Sequence, residues 1–199
     1  MKNKQLGIFA LIGAPFLFID MLVSTYYPSF TVANTWFTGL TGVFYITGWM
    51  ASLEGLRRLI DNGKRNFSWL IIRIVMSTLI LANLSNIWQF FTHTKPLLFQ
   101  ILDMGWPVSN LLMLFVAGAV IKSRKLNGYQ KWVPLAMGLW FPVCILMGRN
   151  DFALYAGGLY STIAWSLFAI TIIRAKPDPS ILSDSTQSSH NQNFNQQFI

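Results

Sequence analysis

Six apolar stretches of about twenty residues dominate the chain, and that is the length of helix a hydrocarbon core of roughly 30 Å requires. They run over 6–26, 36–56, 69–91, 103–121, 132–147 and 152–173. Each is too long for a buried strand, and none alternates apolar with polar residues as a barrel strand does. Inside a bilayer the backbone must satisfy its own hydrogen bonds, which leaves helices as the spanning structure. The predicted fold is all-α: a polytopic membrane protein built as a six-transmembrane-helix bundle over 1–174.

Charge supports this division. Only 11% of the 199 residues are charged, against roughly 25% in a soluble domain. The connections are too short to hold an extramembrane domain, so any activity is expected within the bilayer or at its faces. Lys2, Lys4, Arg57, Arg58, Lys64, Arg65, Lys122, Arg124, Lys125, Lys131, Arg174 and Lys176 all fall on one side of the alternating spans, and only Lys95 and Arg149 on the other. Cytoplasmic loops are the ones rich in Lys and Arg, which predicts both termini inside. A net charge of +8 spread over helix ends is a topology signal that attracts anionic lipid headgroups on the cytoplasmic face, and it lacks the basic face in water that nucleic acid needs. Tyr26, Tyr27, Trp36, Trp88 and Trp106 at the outer ends, with Trp69 and Trp132 at the inner ends, fit interfacial belts. The expected location is multi-pass in a cell membrane, the bacterial inner membrane being the reference setting.

Lys2 and Lys4 before an apolar run also describe a secretory signal peptide. The run is longer than a usual signal core, contains Pro15 and Asp20, and ends without a small-x-small site, so the first helix is expected to be retained. From 175 to 199 the composition turns to Ser, Asn, Gln, Asp and Pro, and such a segment is expected to form a disordered cytoplasmic tail.

Small and hydroxylated residues recur three and four apart as Thr38, Thr41, Tyr45, Gly48, Ser52 and Gly55 in the second stretch. Tyr155, Gly158, Thr162, Trp165 and Ala169 do the same in the sixth. Such stripes mark faces where membrane helices approach closely. The spacing Gly42, Trp49, Arg58 repeats as Gly158, Trp165, Arg174, a pattern left by duplicated helical hairpins and also produced by chance between apolar helices. Pro15 and Pro142 are expected to kink their helices, whereas Pro107 stands where Asp103 would serve as N-cap of a helix whose first turn tolerates proline.

Charged and amide side chains inside spans are costly, about 2.5 to 3.5 kcal/mol for a central charge, so each invites a reason. Asp20 lies roughly two-thirds of the way across its span at 1.5 Å per residue, too deep for its short side chain to reach water. Asn83, Asn86, Gln89 and His93 share one sector at the end of the third stretch, and Asp103 with Asn110 opens the fourth. Arg149 stands between the last two. Together these residues predict an outward-facing polar cavity. At the inner ends a Glu54–Arg73 pair is expected to latch the second and third helices, with local pairing of Glu54 to Arg57 and Arg58 as the alternative.

No catalytic motif is present, and no cofactor or metal site is expected. His93 and His190 cannot supply a haem pair or an ordinary zinc site, and Cys144 is a lone cysteine in an apolar run. The leading expectation is binding or movement of a small polar solute or proton through the outer cavity. Two others stand beside it: a noncatalytic membrane protein acting by lateral association with a protein partner or a second copy, and an intramembrane enzyme using Asp20 and Asp103 as paired carboxylates.

Overall fold

The computed structural model describes residues 2–60, 66–148 and 150–174, and among them there is no strand. The helices are α1 (Asn3–Gly13), α2 (Phe16–Tyr26), α3 (Pro28–Ala33), α4 (Thr35–Ile60), α5 (Phe67–Trp88), α6 (Leu97–Asp103), α7 (Gly105–Ser123), α8 (Val133–Met147) and α9 (Asp151–Arg174), with a 3-10 turn at Gly128–Trp132 leading into α8.

Two prolines set the breaks. Pro15 has no N–H for the Leu11 carbonyl and its ring crowds that group, so the first column splits into α1 and α2 and resumes where the Ile19 N–H bonds the Pro15 carbonyl at 3.0 Å. Pro107 stands in the same relation to Asp103, and the fourth column breaks at Met104. Asp103 is therefore the last residue of α6 and not the N-cap of α7; Met104 holds that position and gives no side-chain cap. α8 continues as a helix through Pro142 to Met147.

Among the described residues five segments are long and apolar enough to cross a membrane: Asn3–Tyr26, Phe67–Trp88, Leu97–Ser123, Gly128–Met147 and Asp151–Arg174. α4, the second of the six expected spans, is not among them. Its 26 residues make it about 39 Å long, so length is not the reason. Twelve of its residues are buried, including Thr41, Tyr45, Gly48, Trp49, Ser52 and Gly55. A helix that faces neighbouring helices has no need of the uniformly apolar surface that lipid demands, and its hydropathy falls accordingly.

The columns form a closed ring in chain order. α1 packs on α4, α4 on α5, α5 on α7, α7 on α8, α8 on α9, and α9 returns to α1. Close approach is built from small residues: a Cβ on Gly13 would stand 2.6 Å from the Phe44 carbonyl oxygen and 3.0 Å from the Gly48 Cα, so α1 and α4 cross backbone to backbone. The ring's centre is aromatic. Trp49 meets Trp165 edge to face at 5.0 Å between centroids, Trp165 meets Trp140 at 6.2 Å, and Trp140 meets Trp106 at 5.3 Å. Such pairs contribute about 0.5–1.5 kcal/mol each beyond their contact area. Trp49 and Trp165, the equivalent tryptophans of the repeated spacing, thus touch at the centre. The Trp140 indole N–H donates to the Gly157 carbonyl at 2.7 Å and the Tyr160 hydroxyl to the Ala136 carbonyl at 2.7 Å, which ties α8 to α9.

The two ends of the ring differ. At the end where α4 finishes and α5 begins, the buried side chains of Leu53, Leu56, Ile60, Ile72, Val120 and Ile172 fill the interior, leaving a space of only about 10 Å³ beside Ile60 and Ile72. The opposite end, which carries the turns after α2 and α5, contains open space.

Candidate functional site

A cavity of about 230 Å³ enters the ring at this second end. α2 supplies Asp20, α4 supplies Thr38, Gly42 and Tyr45, α5 with the turn after it supplies Asn86 and Gln89, and α6 and α7 supply Asp103 and Trp106. Lys95, from the connection between α5 and α6, completes the polar lining, and Phe99 closes one wall.

Asp20 is held from α4. The Thr41 Oγ1 donates to its Oδ1 at 3.0 Å, with the Thr38 side chain beside it. The same Thr41 oxygen stands 3.1 Å from the Phe37 carbonyl and 3.0 Å from that of Thr38, the ordinary arrangement for a hydroxyl on a helix. Asp103 is held from α5: the Ser85 hydroxyl reaches its Oδ1 at 3.2 Å. Asn86 owes its place to a missing side chain, because a Cβ on Gly42 would overlap its amide. The Lys95 ammonium rests 5.5 Å over the Phe99 ring and forms no ion pair among the described residues.

Four of the expected residues, Asp20, Asn86, Gln89 and Asp103, line this one cavity. His93 lines a neighbouring space of about 330 Å³ with Ser24 and Thr35, and that space shares Thr38, Gln89 and Lys95 with the first. Its Nδ1 lies 3.2 Å from the Thr35 hydroxyl, whose oxygen is also 2.9 Å from the Gln89 carbonyl. Helix α5 ends at Trp88, so the helical spacing that grouped His93 with Asn86 no longer applies there. Asn83 and Asn110 line neither space. Asn83 donates to the Thr47 hydroxyl at 3.3 Å, and fully buried Asn110 donates to the Trp106 carbonyl at 3.2 Å. The break at Met104 takes Asn110 off the face of Asp103. Arg149 lies outside the described residues, as do Lys64, Arg65 and the segment 175–199.

The inner latch does not form as a Glu54–Arg73 pair. Glu54 accepts from Arg57 at 2.8 Å and from Arg58 at 2.8 Å, while Arg73, exposed on α5, lies 5.5 Å over the Trp69 ring. Partners three and four residues away on one helix win over one on another helix, because their geometry comes with the helix itself.

Lys95, Tyr45 and Trp106 were missed by sequence reasoning as cavity residues. Lys95 reads as one outer basic residue among the orientation charges, Tyr45 as a member of a packing stripe and Trp106 as an interfacial aromatic. Only the fold brings them to Asp20. Cys144 lines a separate space of about 380 Å³ between α2, α8 and α9, with Asn150 and Asp151 at its edge. Among the described residues no three His, Cys, Asp or Glu side chains converge as a metal site would require.

The described residues define an all-helical protein in which five apolar segments long enough to cross a membrane form, together with α4, a ring that holds a polar cavity at one end. No family model, no curated protein and no solved structure matches the chain.

Proposed function

We propose that this protein is a six-span, N-in/C-in membrane protein that binds or moves a small polar solute or proton through the cavity at its outer end. The observation that carries this reading is the convergence of Asp20, Asn86, Gln89, Lys95 and Asp103 from separate elements on one space of about 230 Å³. Polar groups that only stabilised the bundle would pair directly between helices, as the Asn83 amide N–H does with the Thr47 hydroxyl. Intramembrane carboxylates lining a space mark solute and proton pathways.

α4 is the sixth span in this reading. It is long enough to cross, and it packs between α1 and α5, both of which belong to apolar spans. The excess of Lys and Arg at the filled end supports a cytoplasmic position for that end, against anionic lipid headgroups, with the cavity outside. A bacterial inner membrane fits this charge distribution.

The test is a thermal-stability screen of the purified protein against small polar solutes of every charge type, run on the wild type and on Asp20→Asn. A solute that binds the folded protein raises Tm by mass action. At least one solute is expected to stabilise the wild type and to lose its effect in a folded Asp20→Asn. A complete set of solutes with no such member contradicts the reading.

A further inference from the structure

The first column is held very differently on the two sides of its break at Pro15. Before the break, α1 is clamped between α4 and α9. A Cβ on Gly7 would stand 2.8 Å from the Ala169 carbonyl oxygen, and one on Gly13 2.6 Å from that of Phe44. After the break, no residue from Pro15 to Thr38 is buried, the longest such run among the described residues. An exposed outer surface is not the cause. α5 exposes Ile74, Ile80 and Leu84 and still buries Ile72, Val75 and Leu79 on its other side, whereas α2 buries nothing.

The missing burial corresponds to open space beside α2. Leu17 and Asp20 line the cavity of about 230 Å³, and Met21 and Thr25 line the space of about 380 Å³ toward α8 and α9. Ser24 and, in α3, Thr31 line the space of about 330 Å³ that reaches His93 and Lys95 in the α5–α6 connection. The ring contacts of α2 sit close to the break: Phe16 stacks on Phe44 at 4.8 Å between centroids, and Phe18 occupies the place of a side chain at Gly158. Further along, α2 is tied by side-chain hydrogen bonds, from Thr41 of α4 to Asp20 at 3.0 Å and between the Tyr26 hydroxyl and the Tyr155 hydroxyl of α9.

Pro15 supplies a pivot, since bends of more than about 20° in helices occur at prolines, where a hydrogen bond is missing from the ladder. The 11 residues of α2 make it about 16 Å long, so a change of about 20° at the break carries its far end through about 6 Å. A movement of that size alters the space that separates Ser24 and Thr31 from the α5–α6 connection.

We infer that α2 and α3 form a lid hinged at Pro15, which closes the outer cavity by moving toward the α5–α6 connection and carries Asp20 with it. The hydrogen bonds to Thr41 and Tyr155 restrain the lid in its open position. What the lid covers rests on reading the cavity as a solute site; the hinge does not.

Distances between paired spin labels on the full chain, in a Cys144→Ala background, test the hinge. Tyr27→Cys with Thr94→Cys reads the lid against the α5–α6 connection, and Ile8→Cys with Tyr129→Cys reads α1; all four positions are exposed. Thr41→Val combined with Tyr155→Phe releases both restraints. The lid distance is then expected to change by about 6 Å, or to gain a second population at that offset, while the α1 distance stays fixed. Pro15→Ala restores the missing N–H and should reduce the change. Where the double variant fails to fold, Tyr155→Phe alone, which removes one exposed hydroxyl, serves the same purpose.

A lid distance that stays at its wild-type mean, as narrow as that of the α1 pair, overturns the inference. Equal changes in both pairs overturn it too, because the whole column has then loosened, and so does a movement that Pro15→Ala leaves undiminished. No solute enters these measurements. A rigid α2 therefore removes the lid and leaves the solute screen standing, whereas a screen without any Asp20-dependent solute removes the cavity reading and leaves the hinge.

Discussion

The Thr41 hydroxyl stands 3.0 Å from the Asp20 carboxylate and 3.1 Å from the Phe37 carbonyl, so it holds Asp20 in either protonation state. Toward the ionised form it donates. Toward the protonated form it accepts the carboxyl proton and turns its own to Phe37. A carboxyl group placed this way keeps its hydrogen-bond partner with or without its proton.

Replacing Thr41 with Val removes that partner and keeps the side-chain volume. Interhelical hydrogen bonds in membrane proteins average about 0.6 kcal/mol and reach about 1.7, and this one serves a carboxylate, so a loss of about 1 kcal/mol is expected. Unfolding of Thr41→Val and Thr41→Ser in detergent checks it: Ser should stay near the wild type, and equal losses in both would show that the methyl group, not the hydroxyl, matters.

The crossing of α1 and α4 gives a second expectation. Gly13→Ala drives a Cβ to within 2.6 Å of the Phe44 carbonyl oxygen, an obstacle made of backbone that cannot step aside. Overpacking of this kind costs about 1–3 kcal/mol. Gly118 on α7 meets nothing within 4 Å, so Gly118→Ala should be neutral or stabilising by up to about 1 kcal/mol. Melting of the two variants side by side decides whether α1 packs at Gly13.

Gly42→Ala should separate binding from folding. The three atoms nearest to its new methyl group all belong to the end of the Asn86 side chain, which can swing away, so the bundle should melt within about 0.5 kcal/mol of the wild type. The displaced amide leaves the cavity, and the Asp20-dependent Tm shift produced by a solute should shrink or vanish. An unchanged shift would remove Asn86 from the site.

Much of this architecture is legible in the sequence, because lipid imposes a length and an apolarity that survive any detail of packing. The break at Pro15 agrees with the kink expected of a mid-helix proline, whereas the same missing N–H at Pro142 leaves α8 continuous to Met147. The break at Pro107 falls at Met104 and not where a capping Asp103 would put it, since helix α6 precedes it and absorbs Asp103 as its last residue. The short helix α3 is hidden between the first two apolar runs, and α4 reads as more lipid-facing than it is. The site is legible only in part. Asp20 and Asp103 stand out because a carboxylate in an apolar run is costly, and Asn86 and Gln89 follow from helical spacing. Lys95 does not, because its position depends on a connection with no period, and Tyr45 and Trp106 do not, because their apolar bodies satisfy every packing argument while their polar ends stay open.

An outward-open polar cavity is tested by reaction of a single cysteine in it with a membrane-impermeant thiol reagent applied to intact cells. In a Cys144→Ala background, Asn86→Cys is predicted to react from outside, faster with a cationic than with an anionic methanethiosulfonate of the same size. Thr94→Cys, in the outer connection, should react likewise, and Asn127→Cys, at the basic end, only after permeabilisation. An Asn86→Cys protein that stays unmodified while Thr94→Cys reacts would contradict an outward-open polar cavity, and reaction of Asn127→Cys in place of Thr94→Cys would reverse the proposed orientation.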